Sequence, residues 1–196
     1  MAEDWKSKYD YVGYFYEDLA EVKLNGQWGF VDRQGNVVIP LMYDEVEFFS
    51  EGLAAVQLNG QYGFIDQQGN VVIPLMYDMA GGFHGGLARV QLKRKMGFID
   101  QQGNVVIPIE YDSVEPFEEG LAVVQRKRYV DTQGNEYWRV KRHNQWCWIN
   151  SEGVFGIDNN PESQVKLKKK SGFVDRQGNE YWDMTEDEAR RQIENR

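Results

Sequence analysis

Residue types that often support catalysis or cross-linking are scarce in this chain of 196 residues. It contains one cysteine and two histidines. A single cysteine excludes an intramolecular disulfide, so folding requires no oxidising compartment. CxxC and HExxH spacings are both missing, so an ordinary zinc site would need carboxylate ligands. We therefore expect neither a metal nor any other cofactor.

Long apolar runs and a classical export signal are also missing. No segment approaches the roughly 18 apolar residues of a membrane span. Residues 1–20 lack a basic region followed by an apolar run. These absences predict a soluble, cytoplasmic protein without membrane insertion, and export by a signal-independent route stays open. Glycine-rich phosphate loops are missing too, because the glycines lie in hairpin patterns and none opens a helix after a strand.

Charge is distributed unevenly along the chain, whose net charge is −9. Residues 1–120 carry 8 basic and 19 acidic side chains, whereas residues 121–182 carry 11 basic and 7 acidic side chains. The content of 41% hydrophobic and 14% aromatic residues is typical of a folded protein. A negative net charge disfavours nucleic acid as a partner.

A period of 34 residues organises the first part of the chain. Asn25–Asp44 reads NGQWGFVDRQGNVVIPLMYD, Asn59–Asp78 reads NGQYGFIDQQGNVVIPLMYD, and Gly97–Asp112 reads GFIDQQGNVVIPIEYD. The Tyr-Asp pair that ends each copy also occurs one period earlier, at Tyr9 and Asp10. A fixed period of this size indicates a repeat architecture.

Each repeat is predicted to contain a meander of three strands. Apolar residues alternate along Leu53–Leu58, which predicts a first strand buried on one face. Asn59–Gly60 is a strong type I′ hairpin signal, because both central residues of that turn need positive φ. In the second strand, Gly63 is expected to leave room for a neighbouring backbone or ring.

The turn after each second strand reads Asp-x-x-Gly-Asn. We expect its aspartate to accept hydrogen bonds from turn amides. Calcium binding or acid–base catalysis is disfavoured, since each turn offers one carboxylate and equivalent turns share one environment. These aspartates are Asp32, Asp66, Asp100, Asp131 and Asp175. The VVIP that follows is predicted to be the third strand, which ends at its proline or lies at a sheet edge.

These residues together resemble the bacterial WG repeat, also called the KWG repeat. Its pattern of Gly-Leu-Ala, Gly-Lys-Trp-Gly-Phe-Ile-Asp, Gly, Val-Ile-Pro and Tyr-Asp is similar to Leu19–Asp44 and the two copies that follow, over roughly residues 9–125. Tyr62 and Met96 stand where the first copy has the signature Trp28. The resemblance implies a β-repeat module used as an interaction surface, and it implies no shared catalytic residues.

The second half of the chain departs from this pattern. RYVDTQGNEYW at Arg128–Trp138 and GFVDRQGNEYW at Gly172–Trp182 are predicted to keep the second strand and its turn. NQWCWINSEGV at Asn144–Val154 is predicted to be a hairpin embedded between them. Thr185 and Glu188 form a capping-box pattern, which predicts a short C-terminal helix covering the last repeat.

The sequence therefore predicts an all-β protein of tandem antiparallel meander and hairpin repeats. We expect the repeats to stack as an elongated, twisted solenoid with a short C-terminal helix as its cap. A small closed array resembling a propeller is the alternative, although three strands are few for a blade. The predicted divisions are 1–125 for three repeats and an N-terminal partial unit, 126–182 for divergent hairpin repeats on the same array, and 183–196 for the helix.

Positions where the copies differ are the candidate binding residues. At the first hairpin tip, Asn25–Gly26 and Asn59–Gly60 give way to basic residues in later copies. We expect equivalent tips to form a basic ridge that attracts an anionic partner. These residues are Lys93, Arg94, Lys95, Arg126, Lys127, Arg128, Lys141, Arg142, Lys168, Lys169 and Lys170. The alternative is that exposed tips carry lysine for solubility and against edge pairing.

Aromatic residues of the second half suggest a different ligand. Trp138 and Trp182 are candidate stacking platforms for a sugar, with core positions as the alternative. His143 and Cys147 are the only candidate imidazole and thiol pair, but a hairpin tip and a packing position explain them better.

The sequence predicts a non-enzymatic scaffold that binds a protein partner, with a carbohydrate-binding module as the alternative and an enzyme third. The protein partner is expected at the basic tips or at the acidic segments that cross between repeats. The acidic residues are Glu45, Glu47, Glu51, Glu115, Glu118 and Glu119.

Overall fold

The computed structural model describes residues 5–118, 120–130, 136–142, 145–150, 153–156, 166–182 and 184–194, and within 126–170 it describes the strand backbone alone. The chain divides into two compact units, Met1–Glu110 and Tyr111–Arg196, called unit 1 and unit 2. The divisions predicted from sequence near residues 125 and 183 stay predictions, and so does the stacking of the whole chain into a solenoid.

Unit 1 consists of three antiparallel sheets preceded by a 3₁₀ turn at Trp5–Lys8. Sheet 1 contains β1 (Tyr11–Val12), β2 (Ala20–Leu24), β3 (Gln27–Val31) and β4 (Val37–Tyr43). Sheet 2 contains β5 (Glu45–Val46), β6 (Leu53–Leu58), β7 (Gln61–Asp66) and β8 (Val71–Tyr77). Sheet 3 contains β9 (Met79–His84), β10 (Leu87–Leu92), β11 (Lys95–Asp100) and β12 (Val105–Tyr111), whose last residue belongs to unit 2.

The strands of each sheet in unit 1 pair in chain order. The prediction of a three-stranded meander was therefore incomplete, because the segment that crosses from one repeat to the next supplies a fourth strand. In sheet 2 this strand is β5, in which Glu45 pairs with Gln57 of β6. The described sheets are open, so the all-β prediction is confirmed without a closed barrel among them.

Local turn chemistry forms the hairpins. Asn59 and Gly60 have φ values of 53° and 78°, and they connect β6 to β7 as the Asn-Gly signal predicts. A Cβ built on Gly63 would lie 2.6 Å from the carbonyl oxygen of Ile73. The prediction that this glycine leaves room for a neighbouring backbone is confirmed.

The third strand of each repeat lies at a sheet edge. In sheet 2 this strand is β8, and it continues past Pro74 to Tyr77. Its register against β7 shifts on both sides of Phe64, so the strand is bulged near the proline. The predicted edge position is confirmed, whereas the alternative that the strand ends at proline is wrong.

Neighbouring sheets of unit 1 share their apolar cores. Phe30 of β3 packs against Phe49 with ring centroids 4.8 Å apart, and the cluster around them contains residues of sheets 1 and 2. Phe64 of β7 packs against Phe83 of β9 with centroids 4.9 Å apart, in a cluster shared by sheets 2 and 3. Each interface thus buries apolar faces that a single small sheet would leave in water.

Sheet 2 is covered on both faces. Ala54 and Ala55 point to opposite faces of β6, and both are fully buried. The predicted burial on one face is therefore wrong for β6, because its neighbours cover both sides. β10 of sheet 3 keeps the predicted alternation, since Ala88 is buried and Arg89 is exposed.

Unit 2 is built on one sheet with the strand order β17-β16-β15-β14-β18-β19, and β13 also pairs with β14. Its strands are β13 (Ser113–Val114), β14 (Leu121–Val130), β15 (Glu136–Arg142), β16 (Gln145–Asn150), β17 (Gly153–Gly156), β18 (Lys166–Asp175) and β19 (Glu180–Trp182). The predicted embedded hairpin is present, because β16 pairs with β17.

A C-terminal helix, α1 (Glu186–Glu194), completes unit 2. The predicted capping box is confirmed, because the Thr185 N–H donates to Glu188 Oε2 at 2.7 Å and the Glu188 N–H donates to Thr185 Oγ1 at 3.3 Å. Ala189 of α1 is buried in a cluster with Leu121 and Tyr181, so the helix covers β14 and β19. Within the described ranges, no helix has the length and apolar character needed to cross a membrane.

Candidate functional site

The repeated aspartates act as turn caps. Asp66 Oδ1 accepts hydrogen bonds from the backbone N–H groups of Gln68 at 2.9 Å and Asn70 at 2.8 Å, and Oδ2 accepts one from Asn70 Nδ2 at 2.9 Å. The Asn70 side chain, with the backbone donors, holds the pKa of the Asp66 carboxyl below its usual value. The predicted role is confirmed at Asp32, Asp66, Asp100 and Asp175. Asp131 lies outside the described residues.

A second set of aspartates holds the tips of the first hairpins. Asp44 Oδ2 accepts a hydrogen bond from the Asn59 N–H at 2.6 Å. In sheet 3 the corresponding Asp78 Oδ2 lies 3.4 Å from the backbone nitrogen of Arg94. The basic tip of sheet 3 is therefore capped by a longer hydrogen bond than the Asn-Gly tip of sheet 2.

Glutamates connect each sheet of unit 1 to the next. Glu17 Oε2 accepts hydrogen bonds from the Gly52 N–H at 2.9 Å and from Gln67 Nε2 at 3.1 Å. One repeat later, Glu51 Oε2 accepts hydrogen bonds from the Gly86 N–H at 2.9 Å and from Gln101 Nε2 at 3.2 Å.

Sequence reasoning missed these connections, although glutamate recurs at a 34-residue step at Glu17 and Glu51. Glu51, predicted as part of an acidic binding surface, accepts hydrogen bonds from the turn of sheet 3. Glu45 also has an internal contact, because its carboxylate accepts a hydrogen bond from the Tyr62 hydroxyl. Burial and the Glu45 carboxylate raise the pKa of Tyr62 to about 12. At these two residues the carboxylates stabilise the array.

The basic tip of sheet 3 has a strained backbone. Lys93 and Arg94 are exposed, with φ values of 52° and 64°. A residue with a Cβ in this left-handed region costs about 1–2 kcal/mol, whereas glycine avoids that cost. Lys95 is half-buried at the start of β11. Lysine and arginine at a turn that suits Asn-Gly thus place positive charge at an exposed tip despite a conformational cost.

The prediction that Arg126–Arg128 and Lys168–Lys170 lie at hairpin tips is wrong. β14 continues to Val130 and pairs with β18 over its whole length, so these segments lie inside paired strands. The register pairs Arg126 with Lys170, Lys127 with Lys169 and Arg128 with Lys168. The insertion of residues 131–165 between the two strands replaces the short turn. We call these two segments the basic ribbon.

Four further candidates lie on β15 and β16. Lys141 and Arg142 are the last residues of β15, and Arg142 pairs with Gln145 at the start of β16. Trp138 is on the same strand, and its side chain lies outside the described part. His143 is not among the described residues, and Cys147 lies on β16 as predicted.

Trp182 packs over a strand of unit 2. A Cβ built on Gly172 would lie 2.3 Å from Trp182 Cε3, so the ring covers that glycine. Trp182 Nε1 donates a hydrogen bond to Glu180 Oε2 at 2.7 Å, and the side chain is half-buried. These contacts give the tryptophan a packing role on β18.

Unit 2 contains an open cavity of about 210 Å³ with an apolar floor and an acidic rim. Its lining residues are Glu115, Pro116, Glu118, Leu121, Val123, Phe173 and Glu186. The volume is below the ~300–1,000 Å³ of typical small-molecule sites. Among the described residues, no group of three histidine, cysteine or carboxylate side chains could hold a metal ion.

Comparison with known protein families agrees with the repeats seen in the structure. A family model described as WG containing repeat matches four consecutive segments, residues 6–28, 28–62, 62–95 and 96–127. A search of curated proteins gives no match to the chain. The matched segments include the strands of sheets 1 to 3 and the beginning of β14. Because they cover more than half of its residues, the chain belongs to the family of proteins with WG containing repeats.

Proposed function

We propose that this chain is a non-enzymatic repeat scaffold that binds a protein partner through the basic ribbon, and that the partner presents an acidic surface. The turn aspartates and Glu17 and Glu51 make hydrogen bonds within the array. The residues common to the repeats thus serve folding, and binding is proposed where the copies diverge.

The cross-strand register of the basic ribbon is the observation that carries this proposal. Three consecutive pairs of β14 and β18 oppose two basic residues each, from Arg126 and Lys170 to Arg128 and Lys168. Like charges at directly opposed positions destabilise a sheet. Bound carboxylates would offset this repulsion and accelerate association through electrostatic attraction.

The strained tip at Lys93 and Arg94 supports the same proposal from unit 1. Backbone strain is often retained where a residue serves binding. A tip of Asn-Gly forms the same turn in sheet 2 without arginine's conformational cost. We therefore include Lys93 and Arg94 as a second contact for an acidic partner.

A protein partner fits the overall charge better than nucleic acid does. The chain carries a net charge of −9, so its other surfaces would repel a long phosphate backbone. A short acidic segment of a protein would contact the basic residues alone. The carbohydrate alternative depends on Trp138 and Trp182, and the packing of Trp182 over Gly172 does not favour it.

The test is neutralisation of one strand of the ribbon by Arg126→Gln, Lys127→Gln and Arg128→Gln. Anisotropy with a labelled polyglutamate peptide should show binding that weakens about tenfold and loses much of its salt dependence. The control variant carries Lys6→Gln, Lys8→Gln and Arg89→Gln, which removes equal charge from unit 1 and should bind nearly as well.

Affinity capture from cells with the same three proteins completes the test. Partners held by the wild type and the control variant should be absent from the ribbon variant. Equal peptide binding by all three proteins would reject the basic ribbon. Tighter binding to a DNA duplex than to polyglutamate would instead favour a nucleic-acid partner.

A further inference from the structure

Sheets 1 and 2 each have a slot that is filled by a phenylalanine from the crossing segment that follows. In sheet 2 the slot lies on β6 and β7, where Ala55 pairs with Phe64. Phe83 fills this slot, because its ring centroid lies 4.9 Å from that of Phe64 and all three residues share one apolar cluster. The Ser50 hydroxyl donates a hydrogen bond to the Phe83 carbonyl oxygen at 2.7 Å, so Ser50 lies at the rim of the slot.

The cavity of unit 2 is the counterpart of this slot, but it is open. Val123 of β14 pairs with Phe173 of β18, as Ala55 pairs with Phe64 in sheet 2. Ala55 and Phe64 are fully buried under their neighbours. Val123 and Phe173 are only half-buried, and both line the cavity. We call this cavity the open slot.

Carboxylates surround the mouth of the open slot. Glu118 occupies the position that Ser50 has at the rim of the slot in sheet 2. Glu115 and Glu118 are exposed, and neither has an ion-pair partner among the described residues. Glu186 also lines the slot, but its Oε1 accepts a hydrogen bond from Arg190 Nε at 3.1 Å. The negative charge available to a ligand is therefore mainly that of Glu115 and Glu118.

The open slot has the size and lining for a single side chain. Its volume of about 210 Å³ is below the ~300–1,000 Å³ of typical small-molecule sites. In sheets 1 and 2 the corresponding position receives one phenylalanine ring from a neighbouring segment of protein. Phe173 offers such a ring the aromatic neighbour that Phe64 offers in sheet 2, and aromatic rings at this separation attract each other. The slot therefore suits an aromatic side chain that belongs to a protein.

We propose that the open slot binds an aromatic side chain of a partner protein, in a segment where lysine or arginine flanks the aromatic residue. The ring packs on Phe173 as Phe83 packs on Phe64, and the flanking cations lie beside Glu115 and Glu118. An aromatic residue buried in a pocket is a common hot spot of protein interfaces, and complementary charges accelerate association. The lining includes no residue of the basic ribbon, so this site is additional to the one proposed there.

The test is fluorescence anisotropy of the full chain with a labelled lysine peptide, which carries one phenylalanine between two pairs of lysines. Saturable binding below about 1 mM is expected. A second peptide with alanine in place of phenylalanine should bind at least about tenfold more weakly. The rim variant, Glu115→Gln with Glu118→Gln, should bind the lysine peptide about fivefold more weakly. A third peptide with serines in place of the lysines should bind the rim variant and the wild type equally.

Val123→Phe fills the open slot with a ring of the chain itself and should weaken the lysine peptide at least about tenfold. Ala55 and Arg89 stand at the same position of earlier repeats, so the strand accommodates side chains of different size there. Val72→Phe is the matched control, because Val72 is 42% exposed on β8 and lies outside the slot. It should bind the peptide as the wild type does. Circular dichroism shows whether both variants are folded, and the rim variant decides the outcome if Val123→Phe is not.

Four results would overturn the proposal. Absence of saturable binding shows that the slot takes no such segment, and equal binding of the phenylalanine and alanine peptides shows attraction to acidic surface alone. Equal binding by the wild type and folded Val123→Phe shows that the peptide binds elsewhere. A wild-type dimer in sedimentation velocity that Val123→Phe dissociates shows that a second copy fills the slot.

The ribbon variant separates this site from the proposed partner binding. With Arg126→Gln, Lys127→Gln and Arg128→Gln it should bind the lysine peptide at least as tightly as the wild type, because it loses only positive charge. Failure of polyglutamate binding would therefore leave the open slot intact, and weaker binding of the lysine peptide by the ribbon variant would place that peptide outside the slot.

Discussion

The first hairpin of sheet 2 and its counterpart in unit 2 begin with equivalent pairs and continue differently. β6 and β7 pair from Leu53↔Asp66 to Leu58↔Gln61, and a two-residue turn closes them. β14 and β18 begin with Leu121↔Asp175 but pair as far as Val130↔Lys166. Residues 131–165, which contain β15, β16 and β17, occupy the place of the turn.

This difference shows that the repeat specifies the base of the hairpin while its tip tolerates large changes. The entropic cost of closing a loop grows slowly with its length, so an insertion at a tip can leave the base paired. The tip of sheet 3 is intermediate between these two cases, because it keeps the short turn but contains Lys93 and Arg94 in place of Asn-Gly. Variable function is therefore best sought at the tips.

The largest expected effect concerns the glycine of the second strand. Gly63→Ala would place a Cβ 2.6 Å from the backbone oxygen of Ile73, which cannot move without disturbing β8. We expect it to lower the free energy of unfolding by about 3 kcal/mol. In unit 2, Gly172→Ala meets the ring of Trp182, a side chain that can rotate away, and should cost about 1 kcal/mol.

Urea denaturation of the two glycine variants measures this difference. Serine at each position serves as a second substitution, since it adds a Cβ with a different end group. Equal losses at the two positions would mean that β19 holds Trp182 as rigidly as β8 holds its own backbone.

The stability lost when a turn aspartate is replaced should be larger for a buried aspartate than for an exposed one. Asp175 is 3% exposed and accepts a hydrogen bond from the Tyr181 hydroxyl at 2.8 Å as well as those of the turn. Asp175→Ala would leave that hydroxyl buried without its acceptor, so we expect a loss of about 2 kcal/mol. Asp66→Ala, in an exposed turn, should lower the melting temperature less. A larger effect at Asp66 would contradict the role of burial.

The pH dependence of stability follows from the same turns. Burial raises the pKa of the Asp175 carboxyl, but hydrogen bonds from Asn179 and Tyr181 outweigh it and hold the pKa below its usual value. Its stabilisation is therefore present above the ordinary pKa near 3.9 and is lost as pH falls through the lower folded value. Asp175→Asn should flatten the decline of melting temperature below about pH 4, whereas an unchanged decline would assign it to other groups.

The smallest expected effect concerns the short tips of unit 1. Lys93→Asn with Arg94→Gly should raise the free energy of unfolding by about 1 kcal/mol, because both new residues suit positive φ. The reverse exchange in sheet 2, Asn59→Lys with Gly60→Arg, should lower it by a similar amount. Thermal denaturation of both variants tests these two predictions. An unchanged free energy of unfolding in both variants would show that the basic tip is unstrained.

Local features of the repeat could be predicted from sequence because each depends on a few neighbouring residues. The type I′ turn at Asn59–Gly60 follows from positive φ, and the cap at Asp66 from amides two and four residues away. The capping box of Thr185 and Glu188 is local in the same sense.

Features that depend on which strands become neighbours could not be predicted. Ala55 is buried because sheet 3 covers it, and Glu51 is engaged because the turn of sheet 3 lies within reach. The tip predicted at Arg126–Arg128 is a paired strand because β18, some forty residues later, is its partner. Basic residues near a repeated pattern do not reveal how far their strand continues.

The sequence by itself determined the repeat, its hairpin turns and its capped C-terminal helix, because positive φ, turn hydrogen bonds and helix capping act over a few residues. The tertiary structure alone decided which strands of unit 1 are buried on one face and which are buried on both. It also decided that the basic ribbon is a paired strand rather than a tip. Those outcomes depend on contacts between segments distant in the chain, and the energies of such contacts appear only when the sheets are assembled.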